Sequence, residues 1–327
     1  MQHTPTPKSA RSGAALAGGP ARIVLVRPRG FCAGVERAIA IVERALEKFG
    51  APVYVKHAIV HNRYVVERLQ GLGAVFVEEL DQVPKGARVI FSAHGVPPAA
   101  HVQARELELS VLDATCPLVT KVHLEARRFA KEGRTIFLVG HAGHVEVIGT
   151  RGEAPDHIVA VGTLAEAERV QAAAAERVAY LTQTTLSLDD TRAIVDALKR
   201  RFPALAGPNK DDICYATQNR QNAVQALVRE ADVILVVGSA NSSNSNRLVE
   251  VARGRGVPAY LVESYREVQP EWLAGRACVG VTAGASAPEE IVQELVRHLA
   301  ALQGASVEER DVISEQVSFP LPPSLTQ

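Results

Sequence analysis

The feature that most constrains the fold is a pattern that occurs three times along the 327-residue chain. Each copy begins at a cysteine (Cys32, Cys116 or Cys214) and continues as a helix-like stretch that leads to an apolar strand. A second helix and strand follow in each copy, and then a third strand that ends in a polar turn. Alternation of this kind predicts parallel sheets covered by helices, here in three similar α/β repeats.

Polar residues after these strands keep similar distances from the cysteines. Those after the first strand of each copy lie 29, 28 and 28 residues past the cysteine: His61, His144 and Ser242. Those after the third strand lie 62, 68 and 72 residues past it: His94, Thr184 and Ser286. Because ligands bind at the carboxyl ends of parallel strands, the pattern predicts a pseudo-threefold arrangement in which the three thiolates meet at one shared site.

The repeat also predicts the domain organisation. We expect a first α/β repeat over residues 34–116, a second over 117–213, and a third formed by 21–33 together with 214–312, followed by a C-terminal tail over 313–327. Residues 1–20 are rich in Pro, Ala, Gly, Ser and Thr, which is typical of a disordered tail. Their apolar stretch is too short for a secretory signal, and a plastid or other organellar transit peptide is less expected than a plain extension.

Composition excludes several classes of function. The formal net charge is zero, whereas nucleic-acid binders usually carry a basic excess. No stretch approaches the roughly 20 apolar residues of a membrane span. A chain of this length needs no disulfides, so we predict a reducing, cytoplasmic location. The fourth cysteine, Cys278, lies inside a strand-like segment and is predicted to be a buried small hydrophobe.

Three converging cysteines leave two kinds of metal centre open. A cluster of iron and sulfide held by three cysteines has one iron free for a substrate. A zinc ion bound by three cysteines and one histidine is the alternative. A nicotinamide cofactor is poorly supported, because Gly30 and Gly34 do not form the G-x-G-x-x-G pattern and the next strand ends in Lys56 rather than an acid.

The polar turns predict a site for an anion. They contain histidine, hydroxyl and amide side chains before helix starts, and helix N-termini attract negative groups: His61, His94, His144, Ser242, Ser243, Asn244 and Ser286. Ser286, with Glu289 three residues on, also fits the N-cap of a capping box. The same capping role is open to Ser242 or Asn244, and Ser187 with Asp190 fits another cap.

Glu146 is the acid that these turns contain. It follows His144 by two residues, so an extended turn would direct both side chains into the same cavity. Burial near an anion should raise the pKa of Glu146, which suits a general acid. Thr184 and Thr185 could then transfer a proton or orient a substrate hydroxyl.

At these residues the chain resembles the LytB/IspH family of 4-hydroxy-3-methylbut-2-enyl diphosphate (HMBPP) reductases. The resemblance covers roughly residues 22–310 and rests on nine strings: RGFCAGVERAI, HAIVHNRYVV, FSAHGVP, DATCPLV, GHAGHVEVIGT, LTQTTLS, DDICYATQNRQ, GSANSSNSNRL and VTAGASAP. It implies three α/β domains around one 4Fe–4S cluster per chain, held by Cys32, Cys116 and Cys214 with one open iron.

The resemblance also implies the reaction and the roles of the site residues. HMBPP would lose its hydroxyl on reduction with two electrons, giving isopentenyl and dimethylallyl diphosphates at the end of the non-mevalonate isoprenoid route. Electrons would come from ferredoxin or flavodoxin. Glu146 would donate the proton, Thr184 would lie beside the substrate hydroxyl, and the diphosphate would be bound by His61, His94, His144, Ser242, Ser243, Asn244 and Ser286.

One departure from the family pattern lies beside the acid. The family usually has proline between the His and the Glu of GHPEV, whereas this chain has Val145, which should loosen the turn. Three rival functions use parts of the same pattern: a non-redox dehydratase with an open iron, a cluster-based sensor, and a zinc-stapled scaffold. A sensor has no need of Glu146, and a scaffold has no need of an anion site.

Overall fold

The computed structural model describes residues 20–326; residues 1–19, nearly all of the predicted N-terminal tail, lie outside the described residues. The elements up to residue 113 are β1 Arg22–Arg27, α1 Ala33–Phe49, β2 Val53–Lys56, α2 Arg63–Gly71, β3 Ala74–Val77, β4 Arg88–Phe91, α3 Pro98–Glu106 and β5 Ser110–Asp113. Those up to residue 201 are α4 Pro117–Lys131, β6 Thr135–Val139, α5 Val145–Gly152, β7 Ile158–Val161, α6 Leu164–Ala167, β8 Val178–Thr182 and α7 Leu188–Arg201. The remainder are α8 Tyr215–Leu227, β9 Val233–Val237, α9 Ser243–Arg253, β10 Ala259–Val262, α10 Pro270–Leu273, β11 Cys278–Ala283, α11 Glu289–Gln303 and β12 Ser306–Asp311.

The strands form three sheets in which every named pairing is parallel. The strand orders are β3-β2-β4-β5, β7-β6-β8 and β10-β9-β11-β1-β12. The predicted α/β fold with three parallel sheets is therefore confirmed. β1 pairs with both β11 and β12, so a strand from the start of the chain lies inside the sheet formed by its end. We propose that each sheet with its helices is one domain, divided at the boundaries 34–116, 117–213 and 21–33 with 214–312.

Three helices begin immediately after a cysteine. Cys32, Cys116 and Cys214 are the N-cap residues of α1, α4 and α8. Pro117 occupies the first position of α4, where its fixed φ angle suits a helix start and its missing N–H is not needed. Because the N-terminus of a helix carries partial positive charge, all three thiols lie where a negative charge is stabilised.

Strand burial explains which strands the sequence pattern reveals. All five residues of β9 are buried, as expected for a strand with helices on both faces of its sheet. By contrast, β12 has the sequence SVEERD and is mostly exposed. It lies at the edge of its sheet beside β1, and charged side chains on an edge strand discourage pairing with other chains. Its charged sequence carries no apolar signal, so the repeat pattern does not predict it.

The segment after β12 crosses from the third sheet to the first. Glu315 contacts Arg220 in α8. The backbone carbonyl of Pro320 accepts a hydrogen bond from Arg37 Nε at 2.9 Å. Leu325 is buried and packs into the core that α1 forms with the first sheet. Within the described residues, no helix has the length and apolar character needed to cross a membrane.

Candidate active site

One cavity of about 100 Å³ lies where the three sheets meet. The structure places every predicted site residue on its wall: Cys32, Cys116, Cys214, His61, His94, His144, Glu146, Thr184, Ser242, Ser243, Asn244 and Ser286. These residues follow strands of all three sheets or begin the helices that cover them. The site therefore exists only when the three units, each a sheet with its helices, pack together. Cys278 is absent from the cavity wall, because it is the first residue of β11 and the site lies beyond the other end of that strand.

The three cysteines are free thiols that share this cavity. Burial raises the pKa of Cys116 to about 12 and that of Cys214 to about 11. Without a positive partner, these thiols therefore stay protonated at neutral pH. In residues 20–326, no three potential ligands surround a single point at metal-ion distance, so the cysteines share a cavity rather than a preformed single-ion cage.

Space beside the thiols depends on a glycine of the first helix. A Cβ atom on Gly34 would lie 2.8 Å from Cys116 Sγ and 3.9 Å from Cys32 Sγ. Any larger residue there would collide with Cys116 Sγ. Three partly buried thiols at three helix N-termini, around a space kept open by glycine, suit a negatively charged iron–sulfur cluster. The donor set therefore fits the group that the resemblance implies.

Three histidines form one wall of the cavity. The rings of His61 and His94 stack with centroids 4.0 Å apart, and the ring of His144 meets His61 edge-on at 5.3 Å. Both ring nitrogens of His61 and Nε2 of His144 are buried and have no hydrogen-bond partner among the described residues. Buried polar atoms are almost always hydrogen-bonded, so these nitrogens, which face the cavity, are suited to bind a ligand there.

Burial also sets the charge of these rings. It lowers the pKa of His61 to about 4 and that of His144 to about 4, and it lowers the pKa of the fully buried His94 well below its usual value. The neighbouring imidazoles lower these values further. The rings are therefore neutral at pH 7, and an anion among them would raise their pKa values again.

The hydroxyl and amide groups come from the start of α9 and the loop after β11. Ser242 is the N-cap of α9, and its Oγ accepts a hydrogen bond from the Ser245 N–H at 3.3 Å, which confirms the predicted cap. Asn244 Oδ1 accepts a hydrogen bond from the Ala285 N–H at 2.8 Å and so joins α9 to that loop. The predicted Ser187 cap of α7 is confirmed in the same way.

Ser286 has a different role from the predicted N-cap. Helix α11 begins at Glu289 with Pro288 as the N-cap, so the capping-box prediction for Ser286 is wrong. Pro288 displaces the helix start by two residues and leaves Ser286 in the loop. Its hydroxyl instead donates to the His61 carbonyl at 2.9 Å and lies 3.4 Å from Ser242 Oγ. Ser286 thus connects the first unit to the third at the cavity wall.

The turn that contains Glu146 is a helix start rather than the predicted extended turn. Helix α5 begins at Val145, and His144 is its N-cap, with Nδ1 accepting a hydrogen bond from the Glu146 N–H at 3.2 Å. The expectation that an extended backbone directs His144 and Glu146 to one side is therefore wrong. Both side chains still reach the cavity, because an N-cap side chain folds back over the first turn of its own helix.

Glu146 is fully enclosed and bound by one neighbour. Its Oε1 accepts the backbone N–H of Thr184 at 2.6 Å, and its Oε2 accepts the Thr184 hydroxyl at 3.1 Å. Burial raises the pKa of Glu146 to about 7, although both of these hydrogen bonds lower it. Asp212 raises it slightly further. The carboxyl therefore exchanges its proton near neutral pH, as a general acid requires.

Sequence reasoning missed two polar residues near the cysteines. Thr217 lines the cavity, and its N–H and hydroxyl group lie 3.4 and 3.2 Å from Cys214 Sγ. Its position three residues after the cysteine is the capping distance and could have revealed it. Arg220 lies under the site and was hidden because a single sequence does not show that an arginine is buried. His141, near the predicted turn, lies outside the cavity and contacts Arg247.

Comparison with known proteins decides the family. The family model described as LytB protein matches residues 23–300. The chain belongs to the LytB family. Among relatives, a 4-hydroxy-3-methylbut-2-enyl diphosphate reductase from Azoarcus sp. strain BH72 is 58% identical over 93% of this chain and 98% of its own length. One from Bordetella pertussis is 55% identical over 94% of each chain.

Solved structures of the LytB family support the same placement. The E-1-hydroxy-2-methyl-but-2-enyl-4-diphosphate reductase from Plasmodium falciparum is 39% identical, with a TM-score of 0.91 over 94% of this chain and 97% of its own. A second solved structure, described as the terminal enzyme of the non-mevalonate pathway, is 33% identical with a TM-score of 0.61 over 86% of this chain and 99% of its own.

Proposed function

We propose that this chain is an HMBPP reductase that removes the substrate hydroxyl as water with two electrons and two protons. The products are isopentenyl and dimethylallyl diphosphates, and the reaction ends the non-mevalonate route to isoprenoid precursors. One observation carries the proposal: a single cavity unites three free cysteines, a carboxyl whose pKa is about 7, and histidine nitrogens that have no hydrogen-bond partner among the described residues. The relatives that share most of this chain's length bear the same activity in their names.

Cys32, Cys116 and Cys214 would hold one 4Fe–4S cluster, each cysteine binding one iron. Such a cluster would supply the electrons for the reaction and one iron that has no cysteine ligand. The chain contributes the surroundings. The helix N-termini of α1, α4 and α8 favour the negative charge of the thiolates, and Gly34 keeps the adjoining space free.

The diphosphate would lie against the histidine, hydroxyl and amide groups of the same cavity. Its oxygen atoms would accept hydrogen bonds from His61 and His144, whose ring nitrogens have no other partner among the described residues. The diphosphate seat, meaning this binding site, would be completed by five further residues: His94, Ser242, Ser243, Asn244 and Ser286. No lysine or arginine lines the cavity in the described part of the chain, so binding depends on neutral donors and on imidazoles that gain protons with the anion.

Glu146 would give a proton to the leaving oxygen. Hydroxide is a poor leaving group, whereas water leaves readily, so a positioned acid lowers the barrier. The Thr184 N–H and hydroxyl hold the carboxyl in one orientation. His144 is hydrogen-bonded to the backbone of Glu146, so it would couple the diphosphate seat to the acid.

The electron donor would be a small protein such as ferredoxin or flavodoxin, and we propose a cytoplasmic location. The four cysteines of the chain are all free in the structure, which suits a reducing compartment.

The proposed function is tested by anaerobic purification, chemical reduction and addition of HMBPP. We expect isopentenyl and dimethylallyl diphosphates to form only when reductant is present. A non-redox dehydratase would instead convert HMBPP without reductant. A cluster-loaded chain that binds HMBPP without converting it would support a sensor, and zinc in place of iron would support a scaffold.

A further inference from the structure

A fully buried charge joins the segments that carry two of the cysteines. Arg220 is fully buried in α8, six residues after Cys214. Burying a guanidinium is costly unless hydrogen bonds and an opposite charge compensate. The five N–H groups of an arginine are arranged as a rigid fork, so a buried arginine fixes the groups that accept from it.

Most of this fork binds the loop that leads to Cys32. Arg220 Nη2 donates to the Gly30 carbonyl at 2.7 Å and to the Phe31 carbonyl at 3.2 Å, and Nε donates to the Gly30 carbonyl at 3.1 Å. Residues 30 and 31 directly precede Cys32, and Gly30 has a positive φ angle of 68°. Arg220 thereby holds the loop before one cysteine against the helix that follows another.

One acid balances this charge, and it belongs to the C-terminal segment. Glu315 Oε1 lies 3.2 Å from Arg220 Nη1 and also accepts a hydrogen bond from Asn219 Nδ2 at 3.0 Å. No other acid forms an ion pair with Arg220 within residues 20–326. Glu315 is itself mostly buried, with 16% of its side chain exposed. Solvent therefore screens this pair weakly.

We propose that Arg220 and Glu315 form a positioning and charge-balancing pair for the cluster, a role that rests on the proposed function. Arg220 aligns the Cys32 and Cys214 segments. Its positive charge favours the reduced cluster, which carries one more electron than the oxidised cluster, and Glu315 offsets part of that effect. The C-terminal segment thus sets the reduction potential of the cluster, although none of its residues lines the cavity.

The test measures the midpoint potential of the cluster by anaerobic titration with redox dyes, followed by absorbance and electron paramagnetic resonance. Glu315→Gln keeps the size and hydrogen bonding of the side chain but removes its charge. We expect it to shift the potential to a more positive value. Arg220→Gln leaves the Glu315 carboxylate unbalanced and should shift the potential to a more negative value.

Two further variants separate charge from structure. The double variant Arg220→Gln with Glu315→Gln loses the contacts but restores charge balance, so its potential should return toward that of the unmodified protein. A purely structural role would instead make the double variant the most perturbed. Glu271 is an exposed residue of α10, and Glu271→Gln makes the same charge change away from the pair, so it should not shift the potential.

The outcomes distinguish this proposal from the proposed function. An unmodified protein that assembles no iron–sulfur cluster overturns both. A protein that converts HMBPP, but whose potential in Glu315→Gln equals that of Glu271→Gln, overturns the proposal and leaves the reductase intact. If Arg220→Gln fails to fold, the comparison of these two glutamate variants still decides the charge effect.

Discussion

Glu146 is the one carboxyl among the residues that line the cavity in the described chain. Two features of its environment shift the pKa of Glu146 in opposite directions. Burial favours the protonated form, while the two hydrogen bonds from Thr184 favour the carboxylate. Because the result is a pKa of about 7, the acid can lose its proton to a leaving group and regain it from solvent at working pH.

Glu146→Gln should separate proton transfer from binding. Glutamine keeps the shape of the side chain and can still pair with Thr184, but it has no proton to give. We expect the cluster to assemble, HMBPP to bind, and the single-turnover rate of pre-reduced protein to fall by roughly 10²–10⁴. Pre-reduction removes electron delivery as the slow step. A rate near that of the unmodified protein would transfer the proton-donor role to Thr184 or a bound water.

The low pKa values of the cavity histidines predict that protons are taken up when a diphosphate binds. Burial lowers the pKa values of His61 and His144 to about 4, so both rings are neutral at pH 7 before an anion binds. A diphosphate raises these values, and the complex therefore holds more protons than its separated parts. The affinity of cluster-loaded protein for inorganic diphosphate should increase as the pH falls from about 8 to about 6.

Calorimetry in buffers of different ionisation enthalpy measures this uptake directly. The observed heat should vary with the ionisation enthalpy of the buffer, in the direction expected when the complex takes protons from the buffer. Binding that is independent of both buffer and pH would show that the anion is held by the serine and asparagine groups alone.

His94→Asn should weaken the binding of inorganic diphosphate, by roughly 1.5–3 kcal/mol if a charged donor is lost.

At the scale of elements, the effect of having Val145 where the family usually has proline can be judged only from the position of this residue in α5. Val145 is the first residue of α5, and no hydrogen bond from its N–H occurs among the described residues. His144 before it has φ −76° and ψ 136°, which a following proline tolerates. The proline usual in the family therefore suits a helix start, and valine preserves that start.

Val145→Pro should leave turnover unchanged and alter the free energy of unfolding by less than about 1 kcal/mol. Ile148→Pro is the matched control three residues on. Ile148 is exposed, but its N–H donates to the His144 carbonyl, so proline there should cost about 3 kcal/mol. Thermal and denaturant unfolding would measure both. Similar losses in the two variants would place position 145 inside a helix or turn that needs its N–H.

Elements that repeat were predictable, and elements that depend on one residue were not. The cysteines that begin α1, α4 and α8 recur with apolar strands at similar spacing, so the repeats reveal them. The start of α11 depends on Pro288, and the repeat pattern contains no signal that predicts this start. β12 joins its sheet through backbone pairing with β1 alone and carries charged side chains, so no periodicity marks it.

At the scale of the whole molecule, the site is a product of packing. Each sheet supplies one cysteine-capped helix and part of the wall, and contacts such as that of Ser286 with the His61 carbonyl join the units at the cavity. The sequence spacing predicts that these residues converge, because equivalent positions in similar units face a common centre. It does not predict Arg220 or Glu315, whose burial depends on where the C-terminal segment crosses the third unit.

The central claim is that three cysteines from three sheets hold one cluster with one open iron. Mössbauer spectroscopy of iron-57-enriched protein, purified without oxygen, tests it most directly. We expect four irons per chain, one of them distinct from the other three and altered by HMBPP. It predicts the same spectrum for Cys278→Ser and loss of this spectrum for Cys116→Ser. Four equivalent irons that HMBPP leaves unchanged, or an intact cluster in Cys116→Ser, would show that the three cysteines do not hold such a cluster.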